Sequence, residues 1–288
     1  MKSNLFIVIC ILASLGIISC QKEVSFELPD NTTSNVVSSL DSNYLDRILI
    51  VENNLVDSNL FVFNYDGQKR INNVSIKSTS NPLDSGFYIK FFYNLNDTLP
   101  FKAKTFLDSV DYYFYYDGLG RLKKDSILRY DSQAGQNPSL ITTLLVTNYS
   151  YALNKIFLNS YFIAPNSGFP NPQYGLDTFF QDLRGNIIME KLYSNNSTLQ
   201  NTIASTFDNK INPFTKVNGF KIFIFSNGDF PGGTCQNNLL SFNKYDNTQP
   251  GNIYTENYFN TYYTNGFLKK AVVTGNSSEN WTYFYKSL

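Results

Sequence analysis

Tyr65-Asp66-Gly67-Gln68-Lys69-Arg70-Ile71 and Tyr116-Asp117-Gly118-Leu119-Gly120-Arg121-Leu122 agree at five aligned places, counting Ile with Leu. Asp and Gly accept tight turns, and the flanking aromatic and aliphatic residues pair across strands, so each stretch reads as a β-hairpin. Gln181-Asp182-Leu183-Arg184-Gly185-Asn186-Ile187 keeps the Asp, the second Gly and the aliphatic residue. Tyr263-Thr264-Asn265-Gly266-Phe267-Leu268-Lys269-Lys270 is a shortened cousin of the run ending Leu122-Lys123-Lys124. Asp66 and Asp117 are 51 residues apart, and Asp117 and Asp182 are 65 apart. So irregular a period argues against a solenoid or propeller and for an antiparallel meander of unequal hairpins.

Composition points the same way. The chain holds 25 Phe, 21 Tyr and 37 Asn but only 7 Ala and 2 Met. Aromatic residues favour a half-buried pleated surface and Asn tolerates left-handed turns, so the class is all-β. Strands are expected near 44–52, 59–66, 70–77, 86–94, 109–117, 121–130, 140–151, 153–163, 176–182, 186–194, 201–208, 219–226, 238–246, 252–263, 267–274 and 280–286, with Gly- and Pro-bearing loops around 131–139, 164–173 and 227–236. The sheet is expected to curve into a barrel-like or half-barrel form.

Several strands are apolar on both faces. Val110, Tyr112, Phe114 and Tyr116 share one side, with Tyr113 and Tyr115 on the other; Phe220, Ile222 and Ile224 likewise oppose Phe223 and Phe225. The default expectation is that protein covers both faces; the alternative leaves one aromatic face open to a ligand.

The N-terminus gives an address. Lys2, the apolar run Leu5–Ile18 and small Ser19 precede Cys20. The run is shorter than the roughly 20 residues of a membrane span and has the layout of a secretory signal. Cys20 after the cut resembles the bacterial lipobox, whose thiol takes a diacylglycerol. Residues 1–19 thus read as signal peptide, 20–42 as a lipidated flexible tether and 43–288 as a single antiparallel β domain. The mature chain carries 22 basic against 23 acidic residues, no electrostatic reason to expect nucleic acid as a partner. With Cys10 removed and Cys20 lipidated, Cys235 stands alone and no intramolecular disulfide is available. Cys235 reads as a structural or incidental thiol and not a nucleophile, there being no His to activate it.

The lipobox, the following Gln21-Lys22-Glu23 and the Tyr-Asp-x-x-Gly-Arg-Leu hairpins look like uncharacterised Bacteroidetes surface lipoproteins. Asp208-Asn209-Lys210-Ile211-Asn212-Pro213-Phe214 resembles a turn that recurs in them, and the hairpins also resemble the YD repeat of large secreted shell proteins. The resemblance implies a porin-like antiparallel β fold and an outer-membrane, cell-surface address, with Gln21, Lys22 and Glu23 as the export tag. It implies no activity.

Without His, Ser-His-Asp triads, His-metal sites and imidazole acid–base chemistry are excluded. Ser241-Phe242-Asn243-Lys244 matches Ser-x-x-Lys but lacks its companion motifs. Glu190 and Glu256 are the acids placed to serve a glycan hydrolase, which needs two carboxyls about 5–10 Å apart. Asp97-Thr98-Leu99, Asp108-Ser109-Val110 and Asp125-Ser126-Ile127 look like short O-glycosylation acceptors of Bacteroidetes. A membrane-embedded barrel would need an apolar outer face on strands of about 9–11 residues, whereas 121–130 carries Lys123, Lys124, Asp125 and Arg129. The expectation is therefore a soluble domain, membrane-bound through its N-terminal lipid, of non-enzymatic binding or structural role, its exposed aromatics offered to a glycan or protein. The rival is a carboxylate-dependent glycan hydrolase. No cofactor or metal is expected.

Overall fold

The Asp turns build themselves from local bonds. In the computed structural model, the Asp66 carbonyl accepts from the Lys69 N–H at 3.0 Å, and the Asp66 N–H donates to the Arg70 carbonyl at 2.9 Å. Asp66 Oδ1 accepts from the N–H groups of Gln68 and Arg70, and Oδ2 from Arg70 Nε at 2.8 Å. Asp117 repeats the set with Leu119 and Arg121. Asp182 repeats it with Arg184 and Asn186, the Asn186 amide replacing the guanidinium. Partial burial works against ionisation, but these bonds hold the Asp66 and Asp117 carboxyls below the usual range. The third residue after each turn's start is left-handed: Lys69 at φ 62°, Gly120 at 72°, Gly185 at 83° and Gly266 at 85°. This is the three-residue hairpin loop with a bulge, and the register slips beside each turn. Arg70 and Arg121 then lie over the rings of Tyr93 and Tyr151, whose hydroxyls donate to the carbonyls of Ile71 and Leu122.

The structure describes residues 43–52, 58–78, 87–106, 109–130, 141–164, 169–194, 197–227 and 233–288. Sixteen strands run β1 (Asn43–Glu52), β2 (Ser58–Tyr65), β3 (Ile71–Ser78), β4 (Phe87–Phe92), β5 (Lys102–Thr105), β6 (Val110–Tyr116), β7 (Leu122–Tyr130), β8 (Ile141–Ala152), β9 (Lys155–Ala164), β10 (Phe169–Gln181), β11 (Ile187–Tyr193), β12 (Leu199–Ile211), β13 (Asn237–Asp246), β14 (Ile253–Tyr262), β15 (Leu268–Gly275) and β16 (Glu279–Ser287). Each pairs antiparallel with its sequence neighbour, and β1 pairs with β16, so the sheet closes into a barrel. The meander is as expected, and closure selects the barrel over the half-barrel. Residues 1–42, including the signal peptide and tether, lie outside the described residues.

Two expectations fail. The segment 219–226 is not a strand: Asn218–Asn227 forms helix α1, preceded by a 3-10 turn over Pro213–Lys216. A short run that is apolar on every face suits a buried strand or a buried helix equally by period. The helix is revealed only by what is buried, since Phe220, Phe223 and Ile224 follow the i, i+3, i+4 spacing. Conversely, β5 lies between 94 and 109, where the sequence marks no strand. Its four residues include two Lys and an Ala, too few and too polar to show alternation, yet Ala103 and Thr105 are buried. Strand β10 also begins at Phe169, inside the expected 164–173 loop.

Helix α1 lies inside the barrel. Phe220 meets Phe63 of β2 edge to face at 5.1 Å, and Phe223 meets Tyr112 of β6 at 4.8 Å. Phe225 packs on Tyr149 of β8 and Phe179 of β10. The plug therefore contacts walls from β2 round to β10. The excursion is fixed at its root: Asn212 caps the 3-10 turn by accepting from the Phe214 N–H at 2.9 Å, and Pro213 fits the first turn. Asp208 accepts from the Asn238 N–H and from the Tyr262 hydroxyl.

The left-handed site gives a test. Lys69 bears a Cβ where Gly is preferred, so Lys69→Gly should raise stability by roughly 0.5–1 kcal/mol and Gly120→Ala should lower it by about 1 kcal/mol. Urea denaturation monitored by Tyr and Trp fluorescence measures both, and shifts of the same sign would refute the turn geometry.

Candidate functional site

Antiparallel partners point to the same side of a sheet, so register sorts the wall into inner and outer faces. The inner face of β1–β6 is apolar: Ile48, Phe63, Val74, Ile89, Phe91 and Phe114 are at most 3% exposed. The inner face of β9–β14 is mixed. Phe179 packs on the plug, so its partner Glu190 points inward, as do Ile203 and Lys244 across β12 and β13.

A buried carboxylate ties plug to wall. Asp125 of β7, fully buried, accepts from the Tyr149 hydroxyl at 2.5 Å and from the Ser226 hydroxyl of α1 at 2.8 Å. Burial pushes its carboxyl up despite these donors. Glu256 of β14 accepts from the hydroxyls of Tyr254, Tyr258 and Ser277. Glu279 of β16 accepts from Trp281 Nε1 at 2.5 Å, and Glu52 is its direct partner on β1. A cavity of about 30 Å³ touches Phe214, Tyr258 and Trp281. That is room for about one water, against the roughly 300–1,000 Å³ of small-molecule pockets.

The two expected acids are not brought together. Glu190 is level with Tyr254 through Ile203 and Lys244, so β11 and β14 stand three strand spacings apart, about 14 Å at roughly 4.8 Å each. That exceeds the span a glycosidase couple needs. Asp177, on the diagonal from Glu190 across β10 and β11, is the acid the sequence reading passed over. Burial, then the Asp177 charge, pushes the Glu190 carboxyl up to about 7, and burial raises Asp177 against one hydrogen bond from the Tyr193 N–H. Period-2 alternation marked Asp177 as facing Glu190 only once the β10–β11 register was known.

The remaining candidates fall apart geometrically. Ser241 pairs with outward-facing Thr206 while Lys244 points inward, because three residues along a strand reverse the face. Cys235 is 2% exposed, its Sγ accepts from the Ile187 N–H at 3.3 Å, and burial pushes the thiol up to about 11, all of which fits a structural thiol. Ser126 is only 9% exposed and so closed to a glycosyl donor, whereas Thr98 lies on the exposed β4–β5 loop. Asp108 and the lipidation and tag residues Cys20, Gln21, Lys22 and Glu23 lie outside the described residues.

No family model matches the chain, and no curated protein matches it in sequence. Solved structures do resemble it in fold. A porin-like protein from Bacteroides vulgatus ATCC 8482 superposes with a TM-score of 0.55 at 12% identity, covering 85% of this chain and 100% of that one. A porin-like protein from Bacteroides uniformis ATCC 8492 gives 0.50 at 12% identity, covering 84% and 98%. At such identity the likeness establishes the porin-like antiparallel barrel fold and nothing finer.

Glu190 supplies a pH test. Its pKa is raised in the folded state, so the fold is favoured below the unfolded value near 4.3 and loses stability as pH climbs toward 7. Glu190→Gln should accordingly stabilise the barrel by about 1–3 kcal/mol at pH 8 and leave it nearly unchanged at pH 4. Thermal melts at the two pH values decide it, and equal shifts at both would show that Glu190 is not held against ionisation.

Proposed function

We propose that this is a non-enzymatic, lipid-anchored protein of the outer membrane whose barrel stands in water beside the bilayer. The observation that carries the reading is the polarity of the wall. Spanning barrels turn an apolar band about 25 Å tall outward and a polar lumen inward. Here the inner wall of β1–β6 is apolar and packed on the plug, while the outer row Asn64–Asn73–Lys90–Lys104–Asp111 crosses five strands with polar or charged side chains before turning apolar at Leu128, Leu144 and Ile163. A second outer row, Thr206–Ser241–Asn257–Thr274, is polar throughout. Strand β5, four residues long, spans only about 13 Å at roughly 3.3 Å per residue. Lipid would meet Lys and Asn side chains with no water to solvate them, a cost of about 2–4 kcal/mol for a Lys at the midplane.

The envelope address is supported by the signal-and-cysteine start at Cys20 and by the porin-like fold. The plug's Phe side chains pack on the walls of β2, β6, β8 and β10, where an open pore would hold water, which speaks against permeation as the role. Binding or scaffolding on the outer wall is the role this reading assigns. Gln21-Lys22-Glu23 as an export tag directs the barrel to the cell exterior. The hydrolase reading has no support from Glu190 and Glu256, which stand too far apart to work as a couple.

Detergent phase separation tests the anchor and the aqueous barrel together. Wild type should enter the detergent phase and Cys20→Ala the aqueous phase, because the lipid is then the sole membrane attachment. Retention of Cys20→Ala in detergent would mean that the barrel itself sits in the bilayer. The address has a separate test: protease added to intact cells should degrade the wild-type barrel, and Lys22→Ala with Glu23→Ala should protect it. Full protection of wild type would overturn the surface assignment.

A further inference from the structure

The outer face of β4–β7 carries more cationic charge than folding accounts for. Thr105 and Ala103 are buried inward, so Lys102 and Lys104 point out, joined by Lys90 on β4 and Lys124 on β7. Among the described residues the carboxylate on this face is that of Asp111, which takes Lys102 at 2.8 Å and Lys104 at 4.0 Å. Lys90 lies directly opposite Lys104, a like-charge pairing that antiparallel sheets disfavour. On a chain with equal numbers of acids and bases, this local excess is a built feature.

Aromatic rings are interleaved with the cations. Lys90 lies over Phe92 at 5.6 Å, Lys102 over Tyr113 at 4.8 Å, Lys104 over Phe106 at 5.6 Å and Lys124 over Tyr115 at 5.4 Å. Phe106 stacks flat on Tyr88 at 4.1 Å, and Phe106 and Tyr115 are 40% and 49% exposed. Contrary to the default expectation, the outer aromatic face of β6 is therefore open to solvent.

We infer that this wall binds an anionic polysaccharide, a chain of uronate-bearing sugars lying across β4–β7. The ammonium groups meet the carboxylates, and the exposed rings of Phe106 and Tyr115 meet the sugars between them. A bilayer surface suits the wall less well, because its rings run from Tyr88 and Phe106 at one end of these strands to Phe92 and Tyr115 at the other and form no single band at one rim of the barrel. The inference rests on the aqueous-barrel reading, since a wall sunk in lipid meets no soluble glycan.

Full-length mature lipoprotein in detergent micelles, titrated with polygalacturonate, tests it. Saturable binding is expected, at least tenfold tighter than to neutral amylose and weakened as salt rises. Lys90→Gln with Lys104→Gln should weaken it at least tenfold, Tyr115→Ala at least threefold, and Lys210→Gln, far from the wall, should change nothing. Each variant's melting curve guards against misfolding, and if the double variant fails to fold, Tyr115→Ala alone still decides. Equal binding of polyglutamate, with indifference to Tyr115→Ala, would reduce the wall to a charge patch and overturn the glycan. Binding of phosphatidylglycerol vesicles without polygalacturonate would overturn it in favour of lipid. If Cys20→Ala partitions to water and polygalacturonate still fails to bind, the glycan inference falls and the aqueous barrel stands.

Discussion

A closed sheet of this many strands encloses more space than its own side chains can fill. Eight strands leave an interior that side chains just occupy, and sixteen or more leave an aqueous channel unless something plugs it. The excursion between β12 and β13 is the plug, and the barrel's character follows from it. Phe214, Phe220, Phe223 and Ile224 enter the lumen and are each at most 5% exposed. Burying such side chains is worth about 1.5–3 kcal/mol apiece. Phe63, Phe91 and Tyr112 are apolar inward because that helix is there to meet them.

Filling the lumen with apolar side chains releases the outer wall from the same duty. The outer rows Asn64–Asn73–Lys90–Lys104–Asp111 and Thr206–Ser241–Asn257–Thr274 carry Asn, Thr and Lys where the inner rows carry Phe and Ile. On β4–β7 the outer rings of Phe92, Tyr113 and Tyr115 stand beneath ammonium groups.

What could be read from the residues was what is locally determined. The Asp turns were legible because one carboxylate, one left-handed residue and one Arg or Asn make the whole structure within five residues. Nearly all strands followed, since alternation between turns needs no distant partner. The helix was not legible: Phe220-Lys221-Ile222-Phe223-Ile224-Phe225 has strand-forming residues and no face of its own, and only a surrounding barrel makes it helical. Closure was equally hidden, because the pairing of β1 with β16 joins the two ends of the domain. The acid pairing failed for the same reason, Glu190 and Glu256 being placed by registers that sequence does not show.

The abundance of Asn, first read as turn propensity, has a second use at the root of the plug. Asn186, Asn212, Asn237 and Asn238 are each at most 6% exposed. Asn186 Nδ2 donates to Asn237 Oδ1 while its own Oδ1 accepts from the Asn237 N–H, tying the β10–β11 turn to the arm returning from the helix. Asn237 and Asn238 also donate to the Lys210 carbonyl at the end of β12. Leaving any of these buried partners unsatisfied costs about 1–3 kcal/mol, so withdrawal of the plug would break several such bonds together with its aromatic contacts. Asp125 adds a further tie at the helix's far end through Ser226. A plug secured at both ends is a permanent core, not a gate. The Lys and aromatic rows of β4–β7 lie on the other side of the wall from this core.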